Sequence, residues 1–255
     1  MISPILAHAY TGTNPRGWWM SEKLDGVRCI AQGGKLYTRT GNPIHAPIFF
    51  TKDLPHVILD GEIYGTADNF DTVSGICRRK EPLDSDWEGL TYRVFDVVDA
   101  TLPFEERQKQ LRKVLPRSPY LKIVYQTKCK GKGHLKSTVK RIERKGGEGV
   151  MLRKSKSMYV FKRSRTLLKV KSFKDMDAYV VGHEIATKGK HKRKVGALLC
   201  EADGVQFRCG SGLTDAQRAE PPPIGSLITV KYFQMTKNKK PRFPTYVGMR
   251  AEQDM

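Results

Sequence analysis

Cysteine is scarce in this sequence, and what there is shows no pattern. Cys29, Cys77, Cys129, Cys200 and Cys209 are odd in number and include no C-x-x-C pair. Neither a disulfide framework nor a cysteine zinc site therefore organises the fold, and a reducing compartment suits these thiols best. Long apolar runs are also missing, which excludes a membrane-spanning helix. The opening Met1-Ile2-Ser3-Pro4-Ile5-Leu6-Ala7-His8 has neither the basic start nor the apolar stretch of a secretory leader. A cytoplasmic protein is expected, or a periplasmic one if a leader precedes this segment. With no long amphipathic basic helix and no lipidation signal, no membrane partner is expected.

Acid is the other scarcity. Against 46 Lys and Arg stand only 26 Asp and Glu, a net charge of +20, which calls for a polyanionic partner, most simply nucleic acid. The excess is concentrated: Lys122 to Lys174 holds 18 Lys and Arg and only two acids, Glu143 and Glu148. A chain of 255 residues with 39% hydrophobic residues can bury one large core and one smaller one.

One stretch stands out against this background, Ser21-Glu22-Lys23-Leu24-Asp25-Gly26-Val27-Arg28, preceded by Trp18-Trp19-Met20. Large aromatics bury and take their neighbours with them. A part-buried lysine loses solvation of its charged form and, among other cations, becomes a nucleophile near neutral pH. Arg28 is close enough in sequence to act as a fork for phosphate.

Further along, Lys35 to Thr38 reads as a strand running into a Gly41-Asn42-Pro43 turn, with Arg39 at its end. Val57 to Tyr64 is a strand interrupted by Asp60-Gly61, and Glu62 between apolar residues suggests a ligand-facing carboxylate. Tyr92 to Val98 alternates as a buried strand, in which Phe95 alone would read as core. Phe104 to Leu115 and Leu135 to Lys145 have helical spacing, stopped by Pro116 and by Gly146-Gly147. Glu148-Gly149-Val150-Met151-Leu152-Arg153 then places a carboxylate ahead of a strand, with glycines that let backbone approach a ligand. In Leu167 to Phe173, Lys169 and Lys171 project from one face of a strand, either as edge protection or as a phosphate-binding pair. Beyond Phe173 short strands predominate, with a hairpin at Asp203-Gly204 and a short helix near Thr214 to Ala219.

These six segments, in this order, resemble the motifs of the covalent nucleotidyltransferases: ATP-dependent DNA ligases, RNA ligases and mRNA capping enzymes. The likeness covers nearly the whole chain and is closest to the minimal bacterial and phage ATP-dependent DNA ligases. It implies an α+β fold, with an ATP-grasp-like nucleotidyltransferase domain over 1–173 and an all-β OB-fold domain over 174–255. It also implies that Lys23 attacks the α-phosphate of ATP and carries AMP to the 5′-phosphate of nicked duplex DNA, as a monomer acting in replication, repair or recombination. Carried over residue by residue, the resemblance makes Lys23, Asp25, Lys169 and Lys171 catalytic. Nucleotide contacts fall to Glu22, Arg28, Arg39, Glu62, Phe95, Met151, Lys169 and Lys171, with Phe95 stacked on adenine and Met151 on the pocket floor. Mg²⁺, with Mn²⁺ as substitute, falls to Glu148 and Glu62, and Arg39 also reaches the nick phosphate. An RNA ligase or capping enzyme shares this core chemistry, although the Arg-x-Asp-Lys motif expected of a capping enzyme is absent after Pro241. A non-catalytic nucleic-acid-binding protein would keep the charge without the motifs.

The connection from Ile185 to Lys194 is too short for an encircling clasp but nearly all cationic. Lys190, Lys192, Arg193 and Lys194, together with the stretch from Lys128 to Lys145, are expected to hold phosphates on the two sides of a nick.

Overall fold

The computed structural model describes residues 2–65, 70–236 and 238–250. Its contacts divide the chain into two compact units, Met1–Lys171 and Ser172–Met255. In chain order the first unit contains β1 (Leu6–Ala9), β2 (Trp19–Glu22), β3 (Val27–Gln32), β4 (Lys35–Thr38), β5 (Pro43–Ile44), α1 (Ile48–Thr51), β6 (Leu59–Tyr64), α2 (Phe70–Arg78) and α3 (Asp84–Trp87). There follow β7 (Thr91–Val97), α4 (Phe104–Val114), β8 (Leu121–Ile123), β9 (Thr127–Lys128), α5 (Lys132–Arg144), β10 (Val150–Arg153) and β11 (Arg163–Val170).

These strands form two sheets, ordered β1-β11-β10-β2-β9 and β5-β4-β3-β6-β7-β8. Each sheet buries one face beneath helices. In α4, Phe104, Arg107, Gln108 and Leu111 are buried at helical spacing, with Glu105 and Glu106 in the first turn and Arg112 and Lys113 in the last, as the helix dipole favours. In α5 the buried positions are Leu135, Thr138, Val139 and Ile142, packed with Met20, Val150, Leu152 and Leu168 of the five-stranded sheet. The larger core joins Leu59, Ile63, Tyr92 and Val94 of the six-stranded sheet to Phe50, Val73, Ile76, Trp87 and Leu111. Each such side chain contributes about 1.5–3 kcal/mol by leaving water. The helix α2, whose buried face is Val73, Ile76 and Cys77, is not anticipated from the sequence, because four apolar residues in nine give a short signal.

The second unit contains β12 (Lys174–Ile185), β13 (Val195–Ala202), β14 (Val205–Cys209), α6 (Asp215–Ala219), β15 (Leu227–Tyr232) and β16 (Thr245–Met249). The sheet order is β14-β13-β12-β15-β16, antiparallel throughout. A bridge between Ser211 and Thr245 links its two edges, so the sheet curls on itself around Ala178, Val180, Leu198, Cys200, Ile228 and Val230. The short helix is held at its start by a capping box between Thr214 and Gln217.

Candidate active site

The two sheets of the first unit face each other across a cleft of about 260 Å³. The five-stranded sheet supplies Ser21, Glu22, Met151, Arg153, Leu167 and Lys169 to its lining, and the six-stranded sheet supplies Arg28, Glu62 and Phe95, with Arg39 just beyond β4. Strand register brings this about. β10 lies between β2 and β11, pairing Met151 with Ser21 on one side and with Lys169 on the other. Residues from opposite ends of the unit thus meet in one row.

Lys23 follows β2 directly, and its backbone N–H donates to the Gly149 carbonyl at 2.9 Å. Its half-buried Nζ donates to Oε2 of Glu148, and Nζ of Lys171 stands 3.5 Å from the other carboxylate oxygen. Glu148 is buried and so bridges two lysines. Burial holds the Lys171 ammonium below the ordinary lysine value, Glu148 opposes that effect, and the nearby cations Lys23 and Lys169 add to it. Gly149 is required for this approach: its φ is +145°, and a Cβ there would lie 2.2 Å from the Val170 carbonyl oxygen. The strand carrying the lysines ends at Val170, earlier than the run to Phe173 read from sequence. Lys169 lines the cleft, whereas Lys171, just past the strand end, reaches Glu148.

Arg28 lines the cleft beside Glu62 and Phe95. Its guanidinium is a fork, but for a carboxylate: Nε and Nη2 each donate at 2.6 Å to the fully buried Asp60, and Nη2 also reaches the Ile5 carbonyl at 3.3 Å. A charge-assisted pair in a dry site outcompetes an open fork waiting for phosphate. Phe95, the core reading of which would have hidden it, is half-buried in the cleft with the Arg28 guanidinium 4.7 Å from its ring centre. Glu62 is also in the cleft. Burial pushes its carboxyl up to about 7 against the pull of Arg28 and Lys23, while Glu148 adds to the rise.

Asp25 is half-buried in the turn after Lys23 and is not among the residues lining the cleft. Arg39 is exposed at the cleft mouth. In the second unit, Lys190, Lys192, Arg193 and Lys194 sit in an ordered turn closed by Arg193 N–H to the Ala186 carbonyl and Ala186 N–H to the Lys194 carbonyl, both 2.9 Å. All four are exposed, and Lys190 pairs with Asp215 at 2.8 Å.

Sequence reasoning missed the charged layer beneath the cleft. Asp96, fully buried, accepts from Arg107 at 2.7 and 3.0 Å and from Arg153 at 3.1 Å. The Tyr159 hydroxyl donates to Asp60 at 2.7 Å. The only signal available was composition: carboxylates inside strands that are otherwise apolar need buried cations, and the chain has many.

Among the described residues no three His, Cys, Asp or Glu side chains converge as a preformed metal cage. Glu62 lines the cleft and Glu148 lies near enough for its charge to raise the Glu62 carboxyl, and one or two carboxylates plus substrate phosphates are what Mg²⁺ ordinarily uses, so the residues fit that ion.

The arrangement is that of a nucleotidyltransferase-type catalytic domain joined to an OB-like domain. Residues 4–171 match the ATP dependent DNA ligase domain, and residues 187–250 match the DNA ligase OB-like domain. The chain belongs to the ATP-dependent DNA ligase family. It is 38% identical to a DNA ligase of Haemophilus influenzae over 95% of this chain and 90% of that one. A Lig E DNA ligase structure superposes with a TM-score of 0.93 at 35% identity, covering 98% of this chain and 100% of the other. The Chlorella virus DNA ligase-adenylate gives 0.57 at 27% identity, covering 98% and 99%. No helix among the described residues is long and apolar enough to cross a membrane.

Proposed function

We propose that this protein, acting as a monomer, seals nicks in duplex DNA by way of an AMP carried on Lys23. The observation that carries the reading is the placement of Lys23: its Nζ is held in the cleft against Glu148, one row from Met151 and Lys169. Glu148 is the acceptor in place to take a proton from Nζ. The freed amine then forms a P–N bond to the α-phosphorus of ATP as pyrophosphate leaves. The 5′-phosphate of a nick next displaces Lys23 and takes the AMP, and the adjacent 3′-hydroxyl finally displaces AMP. Lys169 and Lys171 offset the charge that builds on phosphate oxygens, Phe95 and Met151 enclose the base, and Glu62 faces the ribose. Mg²⁺ held by Glu148 and Glu62 with the phosphates would supply Lewis-acid help. Residues 1–173 act as the adenylation domain and 174–255 as the OB-fold domain. Arg39 and the Lys190 to Lys194 turn hold the DNA backbone.

The test is the intact mass after exposure to ATP and Mg²⁺, followed by sealing of nicked DNA and nicked RNA side by side. One added AMP on Lys23 and preference for DNA are expected. Lys23→Ala should accept no AMP yet still seal a pre-adenylated nick slowly, since the last step does not use the lysine. Peptide mapping that places AMP on another lysine would sink the assignment.

A further inference from the structure

The end of the cleft away from Lys23 holds a buried donor that lacks an acceptor. Arg153 is 5% exposed and lines the cleft. Its Nη2 donates to Asp96 Oδ2 at 3.1 Å, and the Phe104 ring centre lies 5.3 Å from its guanidinium carbon. Its Nη1 is buried and meets no partner among the described residues. The neighbouring Arg107 differs, with Nε, Nη1 and Nη2 all bonded. Buried charged donors are nearly always paired, so an orphan in the wall of a binding cleft points to an acceptor that arrives with the ligand.

Strand register says which part of the ligand that is. Ser21 pairs with Met151, and Trp19 pairs with Arg153. Side chains two apart on a strand share a face, so Met151 and Arg153 project into the cleft together. Lys23 lies two residues past Ser21 and Trp19 two before it, so the level of Arg153 is about 13 Å from the nucleophile at 3.3 Å per residue. A nucleotide with its α-phosphorus at Lys23 and its base over Met151 turns the far edge of the six-membered ring toward Arg153. On that edge adenine offers one acceptor, N1, beside the N6 amino donor.

We infer that Arg153 Nη1 donates a hydrogen bond to adenine N1 and makes Arg153 the residue that selects adenine. Such recognition presupposes the lysyl-AMP chemistry proposed above. Adenine and guanine share acceptors at N3 and N7 but differ at N1, which is an acceptor in adenine and an N–H in guanine. A donor that Asp96 holds in line with position 1 suits the first and meets an N–H in the second, whose one acceptor on that edge is the neighbouring O6.

The experiment compares ATP with 1-deaza-ATP and 7-deaza-ATP as AMP donors to the full chain, read by intact mass, and the affinities of AMP and 1-deaza-AMP, read by calorimetry. Removal of N1 should cost at least about tenfold in both measurements, the range of a hydrogen bond to a charged group, whereas removal of N7 should cost little. Arg153→Met should lower the rate with ATP to that with 1-deaza-ATP, leaving the two alike. Equal use of ATP and 1-deaza-ATP by the unaltered chain overturns the role of Arg153 while leaving AMP transfer intact. No transfer from ATP at all overturns both. The analogue series on the unaltered chain decides even if Arg153→Met fails to fold.

Discussion

Arg28 and Asp60 form a two-bond ion pair, 2.6 Å in each bond, whose guanidinium lies 4.7 Å from the ring centre of Phe95. Tyr159 donates to the same carboxylate at 2.7 Å, and the Ile5 N–H donates to the Tyr159 hydroxyl at 3.3 Å. The aromatic wall of the cleft thus rests on a pair that ties β3, β6 and the N-terminal segment together.

Removal of one member leaves the other charge buried and unpaired. Asp60→Ala is expected to cost about 3–5 kcal/mol in urea unfolding, because Arg28 then has no carboxylate partner at that position. The double substitution Asp60→Leu with Arg28→Met should cost clearly less than the sum of the singles. Additive losses would mean that the two side chains stabilise the protein independently.

The Glu62 carboxyl, raised by burial from 4.5 to about 7, links stability to pH. Between those values the unfolded chain ionises at this position while the folded protein keeps its proton. The stability contributed by Glu62 is therefore complete below about 4.5 and is lost as pH rises through about 7. Glu62→Gln should gain on the parent protein in unfolding free energy from pH 5 to pH 8. A parallel pair of stability-against-pH curves would contradict the raised value.

Glu148, Lys169 and Lys171 should fail in different ways. Loss of either lysine removes charge stabilisation from phosphoryl transfer, on the order of 10²-fold or more in single-turnover rate. Glu148→Ala frees both Lys23 and Lys171 from their shared carboxylate, so it should slow lysine adenylation and also the later sealing of a pre-adenylated nick. Near-normal rates for all three variants in both steps would refute the proposed site.

Lys190, Lys192, Arg193 and Lys194 of the Ala186 to Lys194 turn are not equivalent. Lys190 is already paired with Asp215, a partner that competes with phosphate, whereas Lys192, Arg193 and Lys194 form no ion pair among the described residues. Neutralising Lys192, Arg193 and Lys194 together should raise the Kd for nicked duplex and flatten the log-log salt dependence by up to about 0.9 per lost contact. Neutralising Lys190 alone should change the slope less. AMP transfer to Lys23 should be unaffected. The same affinity and slope in the triple variant would make the turn a solvated surface feature.

The residues proposed for the site stand in short local runs of the sequence: Lys23 ahead of Asp25-Gly26, Glu148 ahead of Gly149, Lys169 alternating with Lys171. The helices α4 and α5 are legible in the sequence alone, since their buried positions recur at the helical period and their stops are proline and glycine. Only the tertiary structure decided which charges share a dry site. Lys23 and Glu148 meet across 125 residues and Arg28 and Asp60 across 32, while Asp96 serves two arginines at once. Partner choice of this kind follows from strand order, which sets β10 between β2 and β11, and from desolvation, which leaves no buried charge unpaired without cost. Local pattern assigns a side chain to a face of its own strand, but it carries no information about which distant strand lies alongside.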